Sequence, residues 1–589
     1  MSKVFALDIQ NHNIKWDGNI PSCLEFQDIF FQADVLSEIK YVYLDANNVS
    51  KRFKSDFDIS VFEFGFGFGL NFLCTLKEWI DSKSQKNLTY VSVDNKVPTI
   101  QEIEKITDQF KSINKEKEML LKFFKNIHNG INKISFDSVN VEFFFLVGNV
   151  NNVIHWLNDF QKFDIWFLDG FDPKKNPEMW SEDILDTVQR FSKAGSTFST
   201  FSSAGFIKRG MIERGFNVKK RKGFNLKRHH LCGETSGKII KSKSSKRRIA
   251  VIGTGIAGSC VAYQLSKEDC DIDIYEHCSE ISDGASGNPL AALYPKFNFL
   301  TNELNYINIF SFCYASRFYL FDQFKDAYFP SGVSFFDSNP SLSRWIEKVM
   351  QLNRADMFEL KKNSSDVLTN LKYAKLRVKD CGYVDPKKMN SKLLEPDNIK
   401  IFKNYSFIDY SKQKSKIMLN FKNKIHEELY DGLIIATGSG LCNYFQDLSL
   451  TKGHIVGIDI SDGIKEPLNS NGYVLPKKDN KNWLGGSYEA NFIDLEINHH
   501  ECKNLIKKHF SNLNIEEKVP VNYEARAQVR TSTAEKFPIA RRIEKDANVF
   551  VVGAFGSRGF TYGPIIGDHI SAEMCQKMSP LPSSISKYL

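Results

Sequence analysis

Short apolar runs alternate with segments of helical spacing through the first third of the chain. These runs are rich in Phe, Val, Ile and Leu, the composition of parallel strands that are buried on both faces. They lie at 61–65, 90–94, 141–148 and 163–170. Between them, residues 70–80 and 98–113 have apolar positions spaced as in helices. Strands that alternate with helices predict an α/β sheet.

A second apolar series begins after a polar stretch. Residues 233–248 are rich in Ser and Lys and show no hydrophobic periodicity, which is typical of a linker. A strand is predicted directly afterwards, at 249–253. Downstream of about residue 300 short strands and helices are mixed, and buried strands return at 431–438 and 548–556. The pattern predicts two α/β parts joined by a short linker.

Length and charge support this division. The chain has 589 residues and a mass of 67.5 kDa, more than one hydrophobic core usually supports, and its 42% hydrophobic content excludes a disordered chain. The formal net charge is only +8. Residues 1–200 carry −6, residues 201–248 carry +13 and residues 249–589 carry +1. The surplus is therefore a basic block between two nearly balanced parts.

Several protein classes are excluded by what the sequence lacks. No apolar run reaches the roughly 18–20 residues of a membrane span, and Asp8 interrupts any signal-peptide core. The 11 cysteines include no CxxC pair, which fits a reducing compartment, and no His/Cys cluster has zinc-ligand spacing. We therefore expect a cytoplasmic protein that has neither a membrane span nor a metal site.

A glycine loop follows the first predicted strand. Glycine stands at every second position from Gly65 to Gly69, between the strand and a helix that begins near Leu70. Such glycines allow the backbone to approach a ligand at the carboxyl end of a strand. Asp94 ends the next strand, where an acid can accept both ribose hydroxyls of a nucleoside. Because no Lys-Ser/Thr pair follows the glycines, a nucleoside without phosphates fits better, and S-adenosylmethionine is the obvious candidate.

A second glycine motif follows the strand at 249–253. Gly253, Gly255 and Gly258 form a GxGxxG pattern, and the next strand ends in Glu276. The glycines permit a tight turn and place a helix N-terminus against a pyrophosphate, while the acid accepts hydrogen bonds from a ribose. These features predict a dinucleotide site that FAD or NAD would fit.

Longer motifs resemble those of one protein family. They are EFGFGFGLNFL at 63–73, FDIWFLDGFDPKKNPEMW at 163–180, AGFIKRG at 204–210, GASGN and ALYP within 284–295, and the glycine-rich run at 551–561. These segments are similar, in the same order, to those of the tRNA 5-methylaminomethyl-2-thiouridine biosynthesis bifunctional proteins (MnmC type). Phe68, Asp172 and Asn149 depart from the family pattern.

The resemblance implies a multidomain α/β fold. A Rossmann-like S-adenosylmethionine methyltransferase domain would occupy residues 1–235, followed by a basic linker at 236–248. Residues 249–589 would form an FAD-dependent domain similar to amino-acid oxidases, with a Rossmann part and a mixed β substrate part. The FAD-binding parts are expected at 249–295, 431–445 and 530–589, and the substrate part at about 296–430 and 446–529.

Methyl transfer to a primary amine needs a neutral amine held in line with the donor. Asp169, on the loop after a buried strand, is our candidate for the carboxylate that orients the amine and accepts its proton. Phe171, in the same block, is a candidate for stacking on the substrate base. The candidate S-adenosylmethionine contacts are Glu63, Gly65, Gly67, Asp94 and Asn149.

The flavin segments supply a further set of candidates. Arg530 and Arg558 are candidates for holding a substrate carboxylate, because a guanidinium matches its shape. Lys452-Gly453 and Gly485-Gly486-Ser487 are expected to lie in loops of the substrate part. The candidate FAD contacts are Gly253, Gly255, Gly258, Glu276, Ser286, Gly287, Gly438, Gly553, Ser557, Arg558 and Gly559.

The basic block is interpreted as a surface for the tRNA backbone. Residues 207–230 carry nine Lys or Arg, with Phe216 and Phe224 between them. Neutralisation of phosphates gives the sequence-independent affinity that a tRNA-modifying enzyme needs. The candidate backbone contacts are Lys208, Arg209, Lys219, Lys220, Arg221, Lys222, Lys227 and Arg228. The linker adds Lys238, Lys241, Lys243, Lys246, Arg247 and Arg248.

The resemblance implies a two-step modification of the wobble uridine in a tRNA anticodon loop. The FAD domain would convert a 5-carboxymethylaminomethyl group to 5-aminomethyl, and the methyltransferase domain would then form the 5-methylaminomethyl group. A monomer is expected. Two alternatives stay open: a small-molecule amine oxidase of the glycine or sarcosine type fused to an unrelated methyltransferase, and a non-catalytic RNA-binding protein in which one cofactor site has decayed.

Overall fold

The computed structural model divides into two compact units. Unit 1 comprises residues 1–243 and the segment Gln576–Ser584, and unit 2 comprises residues 244–575 and Ile585–Leu589. The structure describes residues 5–31, 34–158, 161–225, 227–237, 246–336, 340–361, 375–422, 424–460, 462–490, 494–513, 515–516, 518–544 and 548–589. In this part of the chain no helix is long and apolar enough to cross a membrane.

Unit 1 is built on a mixed eight-stranded sheet with the order β10-β11-β9-β8-β4-β5-β7-β6, beside a small sheet of β1, β2 and β3. Its strands are β1 (Ile14–Asp17), β2 (Ile20–Cys23), β3 (Asp28–Ile29), β4 (Ile59–Phe64), β5 (Leu88–Asp94), β6 (Gly130–Phe136), β7 (Val141–Val147), β8 (Phe163–Leu168), β9 (Ser192–Thr200), β10 (Phe216–Lys222) and β11 (His229–Thr235). Its helices are α1 (Val35–Ile39), α2 (Val49–Arg52), α3 (Leu70–Ser82), α4 (Ile100–Thr107), α5 (Asn114–Phe123), α6 (Val150–Val153), α7 (Glu182–Arg190) and α8 (Gly205–Glu213).

The four predicted strands of unit 1 are confirmed as β4, β5, β7 and β8, which pair in parallel. Most buried side chains of these four strands are apolar, because a strand that is buried on both faces favours Phe, Val and Ile. The helix predicted over 98–113 is too long. A capping box between Thr99 and Glu102 starts α4, but the helix ends at Thr107, and α5 follows as a separate helix.

Unit 2 contains a six-stranded sheet with the order β20-β13-β12-β24-β32-β31, a nine-stranded mixed sheet and two three-stranded sheets. Its first strands are β12 (Arg247–Ile252), β13 (Cys270–Glu276), β14 (Ala291–Leu293), β15 (Tyr328–Phe329), β16 (Val333–Phe336), β17 (Phe358–Lys361), β18 (Lys375–Val378), β19 (Gly382–Val384), β20 (Ile399–Lys403), β21 (Phe407–Gln413) and β22 (Lys416–Phe421). The others are β23 (Leu429–Tyr430), β24 (Gly432–Ile435), β25 (Ser449–Ile458), β26 (Leu468–Asn469), β27 (Tyr473–Lys478), β28 (Lys481–Gly485), β29 (Glu489–Ala490), β30 (Glu524–Ser532), β31 (Ile539–Glu544) and β32 (Val549–Gly553). The helices are α9 (Ile256–Ser266), α10 (Glu303–Phe318), α11 (Pro340–Met350), α12 (Pro386–Leu393), α13 (His499–Asn512) and α14 (Gly559–Cys575). A last helical turn, α15 (Ser583–Ser586), includes the residues at which the chain passes from the unit 1 segment Gln576–Ser584 to Ile585–Leu589.

The extent of the predicted substrate part differs from the structure. Strand β20 pairs in parallel with β13 and so belongs to the dinucleotide sheet. Side chains from β22 and β23, among them Leu419 and Tyr430, pack in the same core as Ile252. The stretch from Ile399 to Tyr430 therefore extends the Rossmann part, because its apolar side chains are buried against that sheet.

The C-terminal prediction also differs. Residues 530–589 were expected to lie wholly with the flavin, but Gln576–Ser584 belongs to unit 1. There Met578, which is 7% exposed, packs in a hydrophobic core with Trp166, Trp180 and Leu185. The segment is held in unit 1 by this apolar contact rather than by pairing in a sheet.

Candidate functional site

In unit 1, the carboxyl ends of the parallel strands open into a cavity of about 590 Å³. A parallel sheet places the residues that follow its strands at one edge, where open α/β sheets bind ligands. The predicted residues Gly65, Gly67, Asp94, Asn149 and Asp169 all line this cavity, as does Phe171. The fold thus brings most of the predicted methyl-donor residues together.

The glycine loop is shaped for close approach. Gly65, Gly67 and Gly69 all have positive φ angles, of 91°, 54° and 77°, which residues with a Cβ rarely adopt. The Gly67 amide donates to Asp94 Oδ2 at 2.9 Å, so the acid that was predicted to hold a ribose also holds the loop. Phe68, one of the departures from the family pattern, is buried beside the loop against Phe30.

Asp169 follows β8 directly and is held by two donors. Its Oδ1 accepts from the Gly170 amide at 2.8 Å, and its Oδ2 accepts from Asn71 Nδ2 at 2.9 Å. Burial raises the pKa of the Asp169 carboxyl, and the Tyr43 hydroxyl and the Asn71 amide partly offset that effect. A desolvated carboxylate of raised basicity suits a group that accepts a proton from a substrate amine.

Glu63, a predicted contact of S-adenosylmethionine, does not line the cavity. Its side chain is fully buried and lies behind the cavity wall. Glu63 Oε2 accepts from Ser92 Oγ at 2.7 Å, while Oε1 has no hydrogen-bond partner within the described residues. Burial raises the pKa of Glu63 to about 8, and hydrogen bonds from Ser92 and Asn71 act in the opposite direction.

An aromatic wall, formed by Phe26, Phe30 and Phe171, lies on another side of the cavity. The ring of Phe171 stacks on Phe26 at 4.9 Å between centroids and meets Phe30 edge-on at 5.1 Å. Aromatic faces of this kind bind nucleobases by stacking. The sequence analysis did not single out Phe26 and Phe30, although the three aromatic residues within positions 26–31 were an available signal.

Asn149, a predicted S-adenosylmethionine contact, lines the cavity. Its side-chain oxygen caps α6 by accepting from the Asn151 amide at 3.0 Å. Its amide nitrogen donates to Glu178 at 3.1 Å. Glu178 also lines the cavity, and it is one of the acids there that the sequence analysis did not single out.

The basic block divides into three parts in the structure. Lys208 and Arg209 lie on α8, and residues 219–222 lie on β10, the edge strand of the sheet among the described residues. Phe216 is a core residue that packs on Phe198, so it is not available to stack on bases. Lys227 lines the methyl-donor cavity, where it forms an ion pair of 2.8 Å with Glu38.

Three cations of the predicted linker make contacts within unit 2. Lys246, Arg247 and Arg248 all bond within unit 2: Lys246 pairs with Asp271 at 2.7 Å, Arg247 donates to a helix-end carbonyl at 2.7 Å, and Arg248 pairs with Asp273 at 2.6 Å. Arg247 and Arg248 are the first two residues of β12, so this strand begins two residues before the one predicted at 249–253. Lys238, Lys241 and Lys243 lie outside the described residues.

Unit 2 contains a larger cavity of about 1200 Å³ at the carboxyl ends of β12, β13, β24 and β32. The predicted residues Gly253, Gly255, Glu276, Ser286, Gly438, Gly553, Ser557, Arg558, Gly559 and Arg530 line it. Gly258 and Gly287 do not. A Cβ on Gly258 would lie 2.0 Å from the Gly253 carbonyl, and one on Gly287 would lie 2.2 Å from the Ser282 carbonyl. Both glycines therefore permit close backbone packing beneath the site.

The cavity has the features that a dinucleotide needs. The Gly253 φ angle of 105° and the N-terminus of α9 form the expected turn. Ser286 Oγ accepts from the Ile256 amide at 3.0 Å, at that N-terminus. Glu276 lines the cavity and also fixes the turn, since its Oε2 accepts from the Thr254 amide at 3.0 Å. Among the described residues, one group of three side chains could hold a metal ion. It consists of Glu276, His277 and Cys278.

Three cations converge in the same cavity. Lys296, Arg530 and Arg558 all line it. Burial and the charges of Arg558 and Arg530 lower the pKa of the Lys296 ammonium. Burial favours the neutral phenol of Tyr488, but Lys296 and Arg530 outweigh it and lower the pKa of Tyr488. Arg558 also donates to Tyr562 Oη at 2.9 Å. The sequence analysis missed Lys296 and Tyr488; Lys296 directly follows the ALYP segment, which was the available signal.

Arg530 is positioned by residues that were expected in loops. Lys452 and Gly453 lie within β25, and the side chain of Arg530 crosses Gly453, where a Cβ would come within 2.2 Å of it. Arg530 Nη2 donates to the Ser487 carbonyl at 3.0 Å, and its guanidinium lies 5.0 Å from the Tyr488 ring centroid. The glycine therefore provides the space that directs this cation into the cavity.

Comparison with known proteins places both units. A family model described as FAD dependent oxidoreductase matches residues 248–573, and one described as S-adenosyl-L-methionine-dependent methyltransferase matches residues 111–236. The crystal structure of glycine oxidase from Geobacillus kaustophilus superposes with a TM-score of 0.50 at 14% identity, over 58% of this chain and 98% of that chain, which indicates a shared fold.

Two curated relatives extend over both units. The tRNA 5-methylaminomethyl-2-thiouridine biosynthesis bifunctional protein MnmC of Campylobacter jejuni subsp. jejuni serotype O:2 is 31% identical over 515 residues, which cover 83% of this chain and 79% of the relative. The MnmC protein of Idiomarina loihiensis is 26% identical over 588 residues, 96% of each chain. The chain therefore belongs to the MnmC family of bifunctional tRNA-modification enzymes, with an S-adenosylmethionine-dependent methyltransferase unit and an FAD-dependent oxidoreductase unit.

Proposed function

We propose that the chain converts a 5-carboxymethylaminomethyl group on a tRNA wobble uridine to 5-aminomethyl and then to 5-methylaminomethyl. One observation carries this proposal: a single chain combines a dinucleotide cavity lined by three cations with a second cavity lined by a glycine loop, the half-buried carboxylate of Asp169 and an aromatic wall. The cations of the first cavity suit the carboxylate of the carboxymethylaminomethyl group. The carboxylate and the aromatic wall of the second cavity suit a nucleobase that carries an amine.

In the first step, the cations of unit 2 select the substrate. Lys296, Arg530 and Arg558 would bind the carboxylate, and fork-shaped guanidinium groups favour this geometry. FAD, when bound, supplies the two-electron oxidation of the bond between the amine nitrogen and the methylene carbon. Water then releases that methylene and the carboxylate as glyoxylate and leaves the primary amine. Gly253, Ser286 and the N-terminus of α9 would hold the pyrophosphate.

Replacement of Lys296 tests the carboxylate site. We expect Lys296→Met to lower kcat/KM for the carboxylate-bearing tRNA about tenfold, the typical effect of one charge-assisted hydrogen bond. The flavin content should stay at the wild-type level, because Lys296 lies outside the glycine turn. The control is Lys400→Met, since Lys400 is exposed on β20. Equal kcat/KM values for the two variants would remove Lys296 from the site.

In the second step, unit 1 places the new amine between the donor and Asp169. The amine nitrogen attacks the sulfonium methyl, the S–CH₃ bond breaks as the N–CH₃ bond forms, and Asp169 accepts the proton that the nitrogen loses. The aromatic wall of Phe26, Phe30 and Phe171 would hold the flipped base. Most of the acceleration would come from this positioning.

The exposed edge strand β10 offers a surface for the tRNA backbone. Lys220 and Lys222 point to one face of the strand, because side chains two positions apart do so, and both are exposed. Lys219, in contrast, lies 3.8 Å from Glu234 on the neighbouring strand. Lys220 and Lys222 are therefore the better candidates for phosphate contacts in this strand.

The double variant Lys220→Gln/Lys222→Gln should weaken tRNA binding and reduce its dependence on salt. Each lost phosphate contact should lower the slope of log Kd against log salt concentration by about one. A filter-binding titration at several salt concentrations measures both effects. The matched control is Lys111→Gln/Lys115→Gln, which removes two exposed lysines near α5. An unchanged slope in the β10 variant would move the binding surface elsewhere.

Nucleoside analysis of tRNA from cells that lack the protein tests the whole proposal. The 5-carboxymethylaminomethyl form should accumulate and the methylaminomethyl form should disappear. Unchanged wobble uridines would overturn the proposal. Oxidation of free glycine or sarcosine by the purified protein, together with unchanged tRNA, would instead indicate a small-molecule amine oxidase.

A further inference from the structure

In unit 2, four aromatic side chains that the proposed function does not use line the dinucleotide cavity. They are Tyr294, Phe297, Phe335 and Trp345, and we call them the unit 2 aromatic cluster. The ring of Tyr294 meets Phe335 edge-on at 5.6 Å between centroids. Trp345 lies 5.2 Å from Phe335 and 5.5 Å from Phe297. The four rings therefore form one continuous aromatic surface in the cavity.

The members of the cluster differ in burial. Phe297 is 7% exposed and Phe335 is 5% exposed, so these two rings form the backing of the cluster. Tyr294 and Trp345 are half-buried. Trp345 Nε1 donates to the Phe297 carbonyl at 2.9 Å, which satisfies the polar edge of the indole and fixes its orientation. Trp345 can therefore offer an apolar ring to a ligand without losing a hydrogen bond.

The cluster lies next to a predicted carboxylate ligand along the chain. Lys296 directly precedes Phe297 and follows Tyr294 by two residues, and all three line the cavity. Consecutive Cα atoms are only about 3.8 Å apart. In the carboxymethylaminomethyl group, a short chain of two methylenes and one nitrogen joins the carboxylate to the base. A carboxylate that is bound by Lys296 therefore brings the base to the segment that carries these aromatic residues.

We propose that the unit 2 aromatic cluster binds the wobble uracil ring during the oxidation step, with Trp345 as the side chain that stacks on the base. This inference rests on the proposed function, because it assumes that the carboxymethylaminomethyl group enters this cavity. A base that is flipped out of an anticodon loop has free faces, and aromatic side chains bind such faces. The cluster would thus select an amine that is attached to a base over a free amino acid.

An alternative role for these rings is to hold the flavin. The positions of the secondary-structure elements favour the base instead. Most candidate FAD contacts lie in the turns that follow β12, β24 and β32 of the six-stranded sheet. Phe335, in contrast, lies on β16 of the nine-stranded sheet, and Trp345 lies on α11. Both belong to the part of unit 2 in which we expect the substrate.

Replacement of Trp345 tests the stacking contact. Trp345→Leu keeps an apolar side chain but removes the aromatic face, so it should lower kcat/KM about tenfold for tRNA that carries 5-carboxymethylaminomethyluridine. Trp345→Phe should recover most of this loss, because it restores an aromatic ring. The matched control is Tyr523→Leu, since Tyr523 is also half-buried in unit 2 but does not line the cavity. The flavin absorbance of all three variants should stay at the wild-type level.

Two small substrates separate recognition of the base from recognition of the carboxylate. The nucleoside 5-carboxymethylaminomethyluridine carries the base, whereas sarcosine has the same amine and carboxylate with a hydrogen in place of the base. Flavin reduction without oxygen gives a rate constant for each. The wild type should prefer the nucleoside about tenfold. Trp345→Leu should lose this preference and keep the wild-type rate with sarcosine, whereas Lys296→Met should lower both rates.

Several results would overturn the inference. A kcat/KM of Trp345→Leu for the tRNA equal to that of Tyr523→Leu would do so, as would an equal loss of rate with both small substrates. Loss of flavin from both Trp345 variants would assign the ring to FAD binding instead. If the wild type does not oxidise the modified tRNA, the proposed function itself fails. The wild-type reaction therefore tests the function, and the comparison of the variants tests the inference.

Discussion

Asp169→Asn should lower the rate of methyl transfer by about 10²–10⁴-fold, the usual contribution of a positioned general base. The asparagine keeps the size of the side chain and can still accept from Asn71, but it cannot take a proton from the substrate amine. tRNA from cells that carry only this variant should accumulate the 5-aminomethyl intermediate. Mass spectrometry of the digested nucleosides measures it.

The pH dependence has a definite sign. Burial raises the pKa of the Asp169 carboxyl, and only the carboxylate can accept the proton, so the wild-type rate falls as the pH drops through that raised pKa. Asp172→Asn is the matched control. Asp172 is exposed on the same loop, and its oxygen accepts from the Lys174 amide at 2.8 Å, which an asparagine oxygen can also do. If Asp169→Asn methylates as fast as this control, another group accepts the proton.

Gly258→Ala should abolish FAD binding. The added Cβ would lie 2.0 Å from the Gly253 carbonyl oxygen, a backbone atom that a side-chain rotation cannot move away. Helix α9 would have to shift from β12, and its N-terminus would no longer meet the pyrophosphate. The purified variant should lack flavin absorbance near ~450 nm, and tRNA should retain the carboxymethylaminomethyl group.

A neighbouring glycine provides the control for this effect. Gly284→Ala introduces the same methyl group at the rim of the cavity, where no atom lies within 4 Å. This variant should bind FAD at the wild-type ratio. Gly255→Ala should have an intermediate effect, since its Cβ would meet only the Ser286 hydroxyl, at 3.3 Å. Normal flavin content in Gly258→Ala would show that α9 does not require this close packing.

The parts of the site that follow a strand directly were predictable from the sequence. Asp94 and Asp169 come straight after apolar runs, and parallel strands bring such positions to one edge. The GxGxxG turn and Glu276 are predictable for the same reason. In each case the local pattern contains the information, because the strand fixes where the next residue lies.

The remaining differences between the predictions and the structure depend on contacts between residues that are distant in the sequence. Glu63 stands at the end of a strand, yet its side chain is directed into the core toward Ser92 on the next strand. The oxygen of Asn149 accepts a hydrogen bond at the N-terminus of its own helix. Arg248 forms an ion pair with Asp273. Strand β20, although it is distant in the sequence, pairs with β13 in the dinucleotide sheet. Each outcome depends on a partner that sequence spacing alone does not identify.

The return of Gln576–Ser584 to unit 1 sets an order for synthesis. A ribosome completes every residue of unit 2 up to Cys575 before it adds the segment that brings Met578 into the core of unit 1. Unit 1 therefore receives the buried side chain of Met578 only after that point, and the loss of this side chain would cost about 2–5 kcal/mol. A gene that is split at the linker would place this segment on a different chain from its core, and we expect the separate unit 1 to be less stable for that reason.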